Sequence, residues 1–107
     1  MVVKLRTEHP DEVLNQIVQA LKKYNAAHPR AKIEVYRQNS VSVRVRVIAS
    51  EFKGTSRAER EDDLWRVLDE LPEEVVAEIS LLLMFTPDEA KTSFANLEFD
   101  NPIPSPL

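Results

Sequence analysis

The sequence predicts a single α+β domain. Three observations carry this: an apolar stretch at helical spacing near the amino terminus, two stretches of strict alternation separated by a polar turn, and a second capped helical stretch followed by a short apolar run. The order is helix, hairpin, helix, strand. At 107 residues the chain has room for one hydrophobic core and not two, so every element must share it. Its 43% apolar and 30% charged residues are those of a globular domain, far from a disordered or membrane composition.

The first helix is predicted to open at Pro10, a first-turn proline, with Asp11 and Glu12 behind it. Leu14, Ile17, Val18, Leu21 and Tyr24 form its apolar stripe, Lys22 and Lys23 favour the carboxyl end, and His28-Pro29 stops it. From Ala31 to Arg37, Ile33 and Val35 alternate with Lys32, Glu34 and Tyr36; after Gln38-Asn39-Ser40 a second alternation begins. In that second strand Val41, Val43, Val45 and Val47 point to the core, while Ser42, Arg44 and Arg46 point away. Gly54, the only glycine, sits in an exit turn, and Ser56-Arg57-Ala58-Glu59 reads as a capping box. The helix that follows buries Ala58, Leu64, Trp65, Leu68 and Leu71, and Pro72 ends it. The run from Ala77 to Phe85 is a strand by length and flanks, although periodicity alone does not separate it from a buried helix. Thr86-Pro87-Asp88-Glu89 then starts a short helix through about Asn96, and Leu97 to Leu107 is a proline-rich tail.

Composition excludes several chemistries. With no cysteine there is no disulfide framework, thiol nucleophile or cysteine-ligated cluster from this chain. No run of roughly 18 uncharged apolar residues exists, and the first residues lack a secretory h-region, so a cytoplasmic location without membrane contact is expected. The net charge of −4 conceals an asymmetry: residues 1–60 hold 12 Lys/Arg against 6 Asp/Glu, and the rest hold 2 against 12. Such a split either makes two binding faces or is neutralised by pairing between the halves.

The stretch Phe52-Lys-Gly54-Thr-Ser56-Arg57-Ala-Glu-Arg60, followed by Leu64, Trp65, Leu68, an apolar strand and Thr86-Pro87-Asp88-Glu89, resembles the BolA family over roughly residues 14–89. The resemblance implies an αββααβ layout related to the second class of KH domain, with helices on one face of a three-stranded mixed sheet; here a short carboxyl-terminal helix and tail are added. It divides the chain into an amino-terminal arm (1–9), a BolA-like or KH-like domain (10–90) and a carboxyl-terminal extension (91–107). In that family a histidine commonly follows the second motif arginine, and another near the start of the last strand ligates a [2Fe–2S] cluster shared with a monothiol glutaredoxin. Glu61 stands at the first position and Ala77 or Glu78 at the second. A carboxylate is a harder, poorer ligand for such a cluster than imidazole, so no cofactor is expected.

Other candidate sites have plain alternatives. His9 and His28 flank the first helix, roughly 28 Å apart at about 1.5 Å per residue, and cannot share a metal or a proton. Glu59, Glu61, Asp62 and Asp63 are interleaved with Arg57, Arg60 and Arg66, which reads as a solvated helix face rather than a magnesium site. No nucleophile, base and orienting group assemble at a recognisable spacing, so no enzyme and no catalytic residue is expected. Arg37, Arg44 and Arg46 with Tyr36 form a candidate basic sheet surface for nucleic acid or a partner, with Arg57 and Arg60 on the following helix; pairing with Glu34 is the alternative, and the G-x-x-G clamp of KH domains is absent. Leu82 and Met84 are expected to form an apolar strip on the outer sheet face, covered by the tail through Phe94, Leu97, Phe99 and Ile103, by Val2 to Leu5 as an extra strand, or by a second protein. The expected function is a non-enzymatic protein-interaction module without iron–sulfur ligation, monomeric or weakly dimeric, with a glutaredoxin that shares no cluster among its candidate partners. The alternative is a weak nucleic-acid binder.

Overall fold

A computed structural model describes residues 2–5, 11–93 and 99–100. Helix α1, Glu12–Ala27, begins where the side chain of Asp11 accepts a hydrogen bond from the Leu14 amide at 2.8 Å. Asp11 is therefore the cap and not a first-turn residue, which moves the start past Pro10. Leu14, Ile17, Val18, Leu21 and Tyr24 are all buried, as their spacing predicts. Asn25 is also fully buried; its amide donates to the carbonyls of His28 and Ala31 and ties the helix exit to the next strand.

Four strands form one mixed sheet in the order β1-β2-β3-β4. Strands β2, Lys32–Asn39, and β3, Ser42–Ile48, are the antiparallel hairpin, and β4, Ile79–Phe85, runs parallel to β3. The strand beyond the three expected is β1, Val2–Leu5, which pairs parallel to β2 at the edge far from β4. Helix α2, Arg57–Leu68, is capped by Ser56, whose hydroxyl accepts from the Glu59 amide at 3.2 Å. It stops at Leu68, short of Pro72, and the four-residue helix α3, Glu73–Val76, leads into β4. Helix α4, Pro87–Thr92, opens with a complete capping box between Thr86 and Glu89.

Helices α1, α2 and α3 cover one face of the sheet, where Ile33, Val35, Val43, Val45 and Val47 meet Leu14, Leu21, Leu64, Leu68 and Val75. Three expectations about buried side chains fail here. Val41 lies in the turn ahead of β3, outside the alternation, and is 53% exposed. Ala58 is exposed, and the buried position of that helical turn is Arg60. Leu82 and Met84 belong to this helix-side core, not to an outer strip. Ile79 also faces the core, but β4 holds one extra residue, Ser80, opposite the Val43–Arg44 step. A bulge inverts the alternation beyond it, so Leu81, Leu83 and Phe85 lie on the outer face.

Candidate interaction surfaces

The stretch with the family resemblance converges on one guanidinium. Gly54 takes φ of 83°, which lets the chain turn back after a single 3₁₀ turn at Ser50–Phe52. The turn brings Phe52 and Thr55 beside Arg60, which is 5% exposed. Arg60 donates to the carbonyls of Phe52 (2.9 Å), Thr55 (3.0 Å) and Met84 (2.9 Å), to the Thr55 hydroxyl (3.0 Å) and to Glu89 (2.6 Å). It also lies over the Phe52 ring. One side chain thus joins the β3 exit, α2, the end of β4 and α4. The guanidinium and the Thr86 amide together pull the Glu89 carboxyl down to about 2. Arg60 is a structural clamp, not an available binding cation.

The basic sheet surface expected from Arg37, Arg44 and Arg46 does not assemble. Arg37 lies opposite Val43 and shares the helix-side parity of Ile33 and Val35. At the rim of that face it pairs with Asp11 at 2.7 Å and with Glu78 at 2.9 Å, and the Asp11 carboxyl is lowered by the Leu14 amide and by Arg37. Glu78, one of the two residues that the BolA resemblance would align with a ligand position, has its carboxylate in this ion pair. Arg46 is on the outer face and buried, bound to Glu34 and to Asp100, each at 2.8 Å. Arg44 donates to the Tyr36 hydroxyl at 3.3 Å. Arg57 alone of the five candidate arginines is classed as exposed.

On the outer face Tyr36, Leu83 and Phe85 form a second apolar cluster with Phe99, and Leu81 and Ala90 pack at its margin. Part of the tail does cover the sheet, but over Leu83 and Phe85 rather than over Leu82 and Met84. Phe94, Leu97 and Ile103 lie outside the described residues, as does His9.

Beside α2 lies the outer edge of β4. No strand pairs with this edge among the described residues, and Arg57, Glu61 and Leu82 to Phe85 line a cleft of about 140 Å³ along it. The carbonyl of Phe85 turns inward to accept from the Ala49 amide, whereas that of Met84 turns outward to Arg60. By alternation the backbone groups of Leu82 share the outward direction of Met84. Glu61 flanks this edge.

On another face of α2, beside Glu59 and Asp63, the His28 ring stacks on Tyr24 with centroids 4.3 Å apart, and its Nδ1 lies 2.6 Å from Glu51. Burial, with Glu51 and Asp63 nearby, pushes the Tyr24 phenol upward. Sequence spacing did not reveal this group, because Glu51 lies 23 residues from His28 along the chain. No group of three or more His, Asp or Glu side chains among the described residues is placed to hold a metal ion. No helix among them is long and apolar enough to cross a membrane.

These features define an α+β domain with helices on one face of a mixed sheet, a β4 edge that no strand pairs with among the described residues, and an outer face partly covered by its own chain. The sequence matches no family model and no curated protein.

Proposed function

We propose that this chain is a non-enzymatic, BolA-like protein-interaction module of the cytoplasm that works without iron–sulfur ligation and receives an extended segment of another protein along β4. The observation that carries the reading is the seven-residue apolar edge strand with outward backbone groups at Leu82, beside the cleft bounded by Arg57 and Glu61. Such an edge recognises any partner able to add a strand, and a monothiol glutaredoxin is the partner class that the resemblance implies. Nucleic acid is disfavoured by charge. Arg37, Arg46 and Arg60 are tied to carboxylates, and the turn from α2 into α3 exposes Asp69, Glu70, Glu73 and Glu74, which repel phosphate.

The test is an amide chemical-shift titration of the full chain with a cluster-free monothiol glutaredoxin and, separately, with single-stranded RNA at low and at physiological salt. The reading expects shifts centred on Leu82 to Phe85 and Arg57 to Glu61 with the protein, largely unchanged by salt. Shifts with RNA alone, centred on Arg44 and falling steeply with salt, would replace it with the nucleic-acid alternative. Silence with both ligands would remove the glutaredoxin class and RNA together.

A further inference from the structure

The outer sheet face carries a second surface, which meets the β4 edge at Leu83 and Phe85. The register places Tyr36, Arg44 and Leu81 in one row across β2, β3 and β4, and Glu34, Arg46 and Leu83 in the next. Phe99 is fully buried over these rows. Its ring meets Tyr36 edge to face at 4.8 Å, and the Arg46 guanidinium lies 4.6 Å from its centroid. The next residue, Asp100, binds the same guanidinium at 2.8 Å. Aromatic ring and carboxylate are therefore read together by one arginine, which Glu34 holds from the other side.

We propose that the face formed by Tyr36, Arg46, Leu83 and Phe85 is a peptide-recognition site for an aromatic residue followed directly by an acidic one, filled here by the chain's own Phe99 and Asp100. Its walls belong to paired strands, so the site is preformed, whereas the occupant comes from beyond α4. Arg46 keeps Glu34 as its counter-ion when Asp100 leaves, so the guanidinium of an open site is not left without a neutralising charge. An internal occupant on a short link acts at an effective concentration on the order of millimolar. A partner peptide then displaces it only by adding contacts beyond the two-residue motif, which makes the site selective.

A labelled peptide spanning residues 94–107 tests this by fluorescence anisotropy against two full-length proteins, the native chain and a variant carrying Phe99→Ala with Asp100→Asn. The variant should bind the peptide saturably and at least tenfold more tightly than the native chain, and a peptide with the same two substitutions should bind neither. A milder variant, Phe99→Leu with Asp100→Asn, keeps the apolar volume and should give the same order of affinities if the first variant fails to fold. Equal binding to native and opened chains, or none to a folded opened chain, overturns the proposal. If both variants fail to fold, Phe99 is part of the folding core and the proposal also falls.

Discussion

Replacing Arg60 with Met tests whether the stretch around Gly54 is a structural clamp. Met keeps an unbranched side chain in the α2 groove but removes every donor. The Met84 carbonyl, held in a buried bond by this guanidinium, would then be left without a protein partner, whereas the Phe52 carbonyl keeps the amide and hydroxyl of Thr55. One orphaned buried group is destabilising by about 1 to 3 kcal/mol. Glu89, with its side chain 45% exposed, returns to water and adds little. Against a total stability of about 5 to 15 kcal/mol, a loss of about 2 kcal/mol should lower the thermal midpoint by roughly 8 to 16 °C. Arg57→Met, on the exposed side of the same helix turn, should stay within about 0.5 kcal/mol of the native protein. Thermal and urea unfolding followed by circular dichroism measure both. If Arg60→Met melts within about 3 °C of the native chain, the Met84 carbonyl is satisfied by water and the clamp argument is wrong.

Three further outcomes follow from the same geometry. Glu89 is held at about 2 in the fold, below the ordinary carboxyl range, so its contribution is present above about pH 4.5 and is lost as pH falls from there toward 2; Glu89→Gln should flatten the acid side of a stability-versus-pH curve over that window. Mixing the protein with a monothiol glutaredoxin, iron, sulfide and glutathione should yield only the glutaredoxin homodimer spectrum, because Glu61 and Ala77 or Glu78 fall where the proposed BolA likeness would call for imidazole; a distinct heterodimer cluster signal would contradict it. Asn25→Ala should destabilise by about 1 to 3 kcal/mol in urea unfolding, since the His28 and Ala31 carbonyls lose their shared donor.

The hairpin, α1 and the caps of α2 and α4 were legible because each rests on local chemistry: the period-two valines, the 3.6-residue stripe from Leu14 to Tyr24, and Ser56 or Thr86 three residues before a glutamate. The orientation of β4 was not. A strand apolar on both faces carries no parity signal, and Ser80 reverses the facing between Ile79 and Leu82. Arg37 is a different case. Its parity with Ile33 and Val35 was readable in the sequence and placed it on the helix side, away from Arg44 and Arg46. What no local pattern carried is which carboxylate each arginine meets: Glu78 lies 41 residues from Arg37, and Glu89 lies 29 from Arg60.

Those long-range pairs offset part of the charge asymmetry. The basic first part of the chain supplies Lys23, Arg37, Arg46 and Arg60, and the acidic second part supplies Glu70, Glu78, Asp100 and Glu89 as their respective partners. Two of the five candidate arginines, Arg37 and Arg60, hold elements together rather than offering a charge to a ligand. In this chain Phe52, Gly54, Ser56 and Arg60 all have structural roles at the β3 exit and the start of α2. A likeness confined to them transmits a fold without fixing a ligand. Function must then reside in surfaces that this clamp positions without using. Arg60 anchors the Met84 carbonyl and so holds the β4 edge beside Arg57 and Glu61, while Arg46 on the opposite face is engaged by an aromatic and an acid from beyond α4.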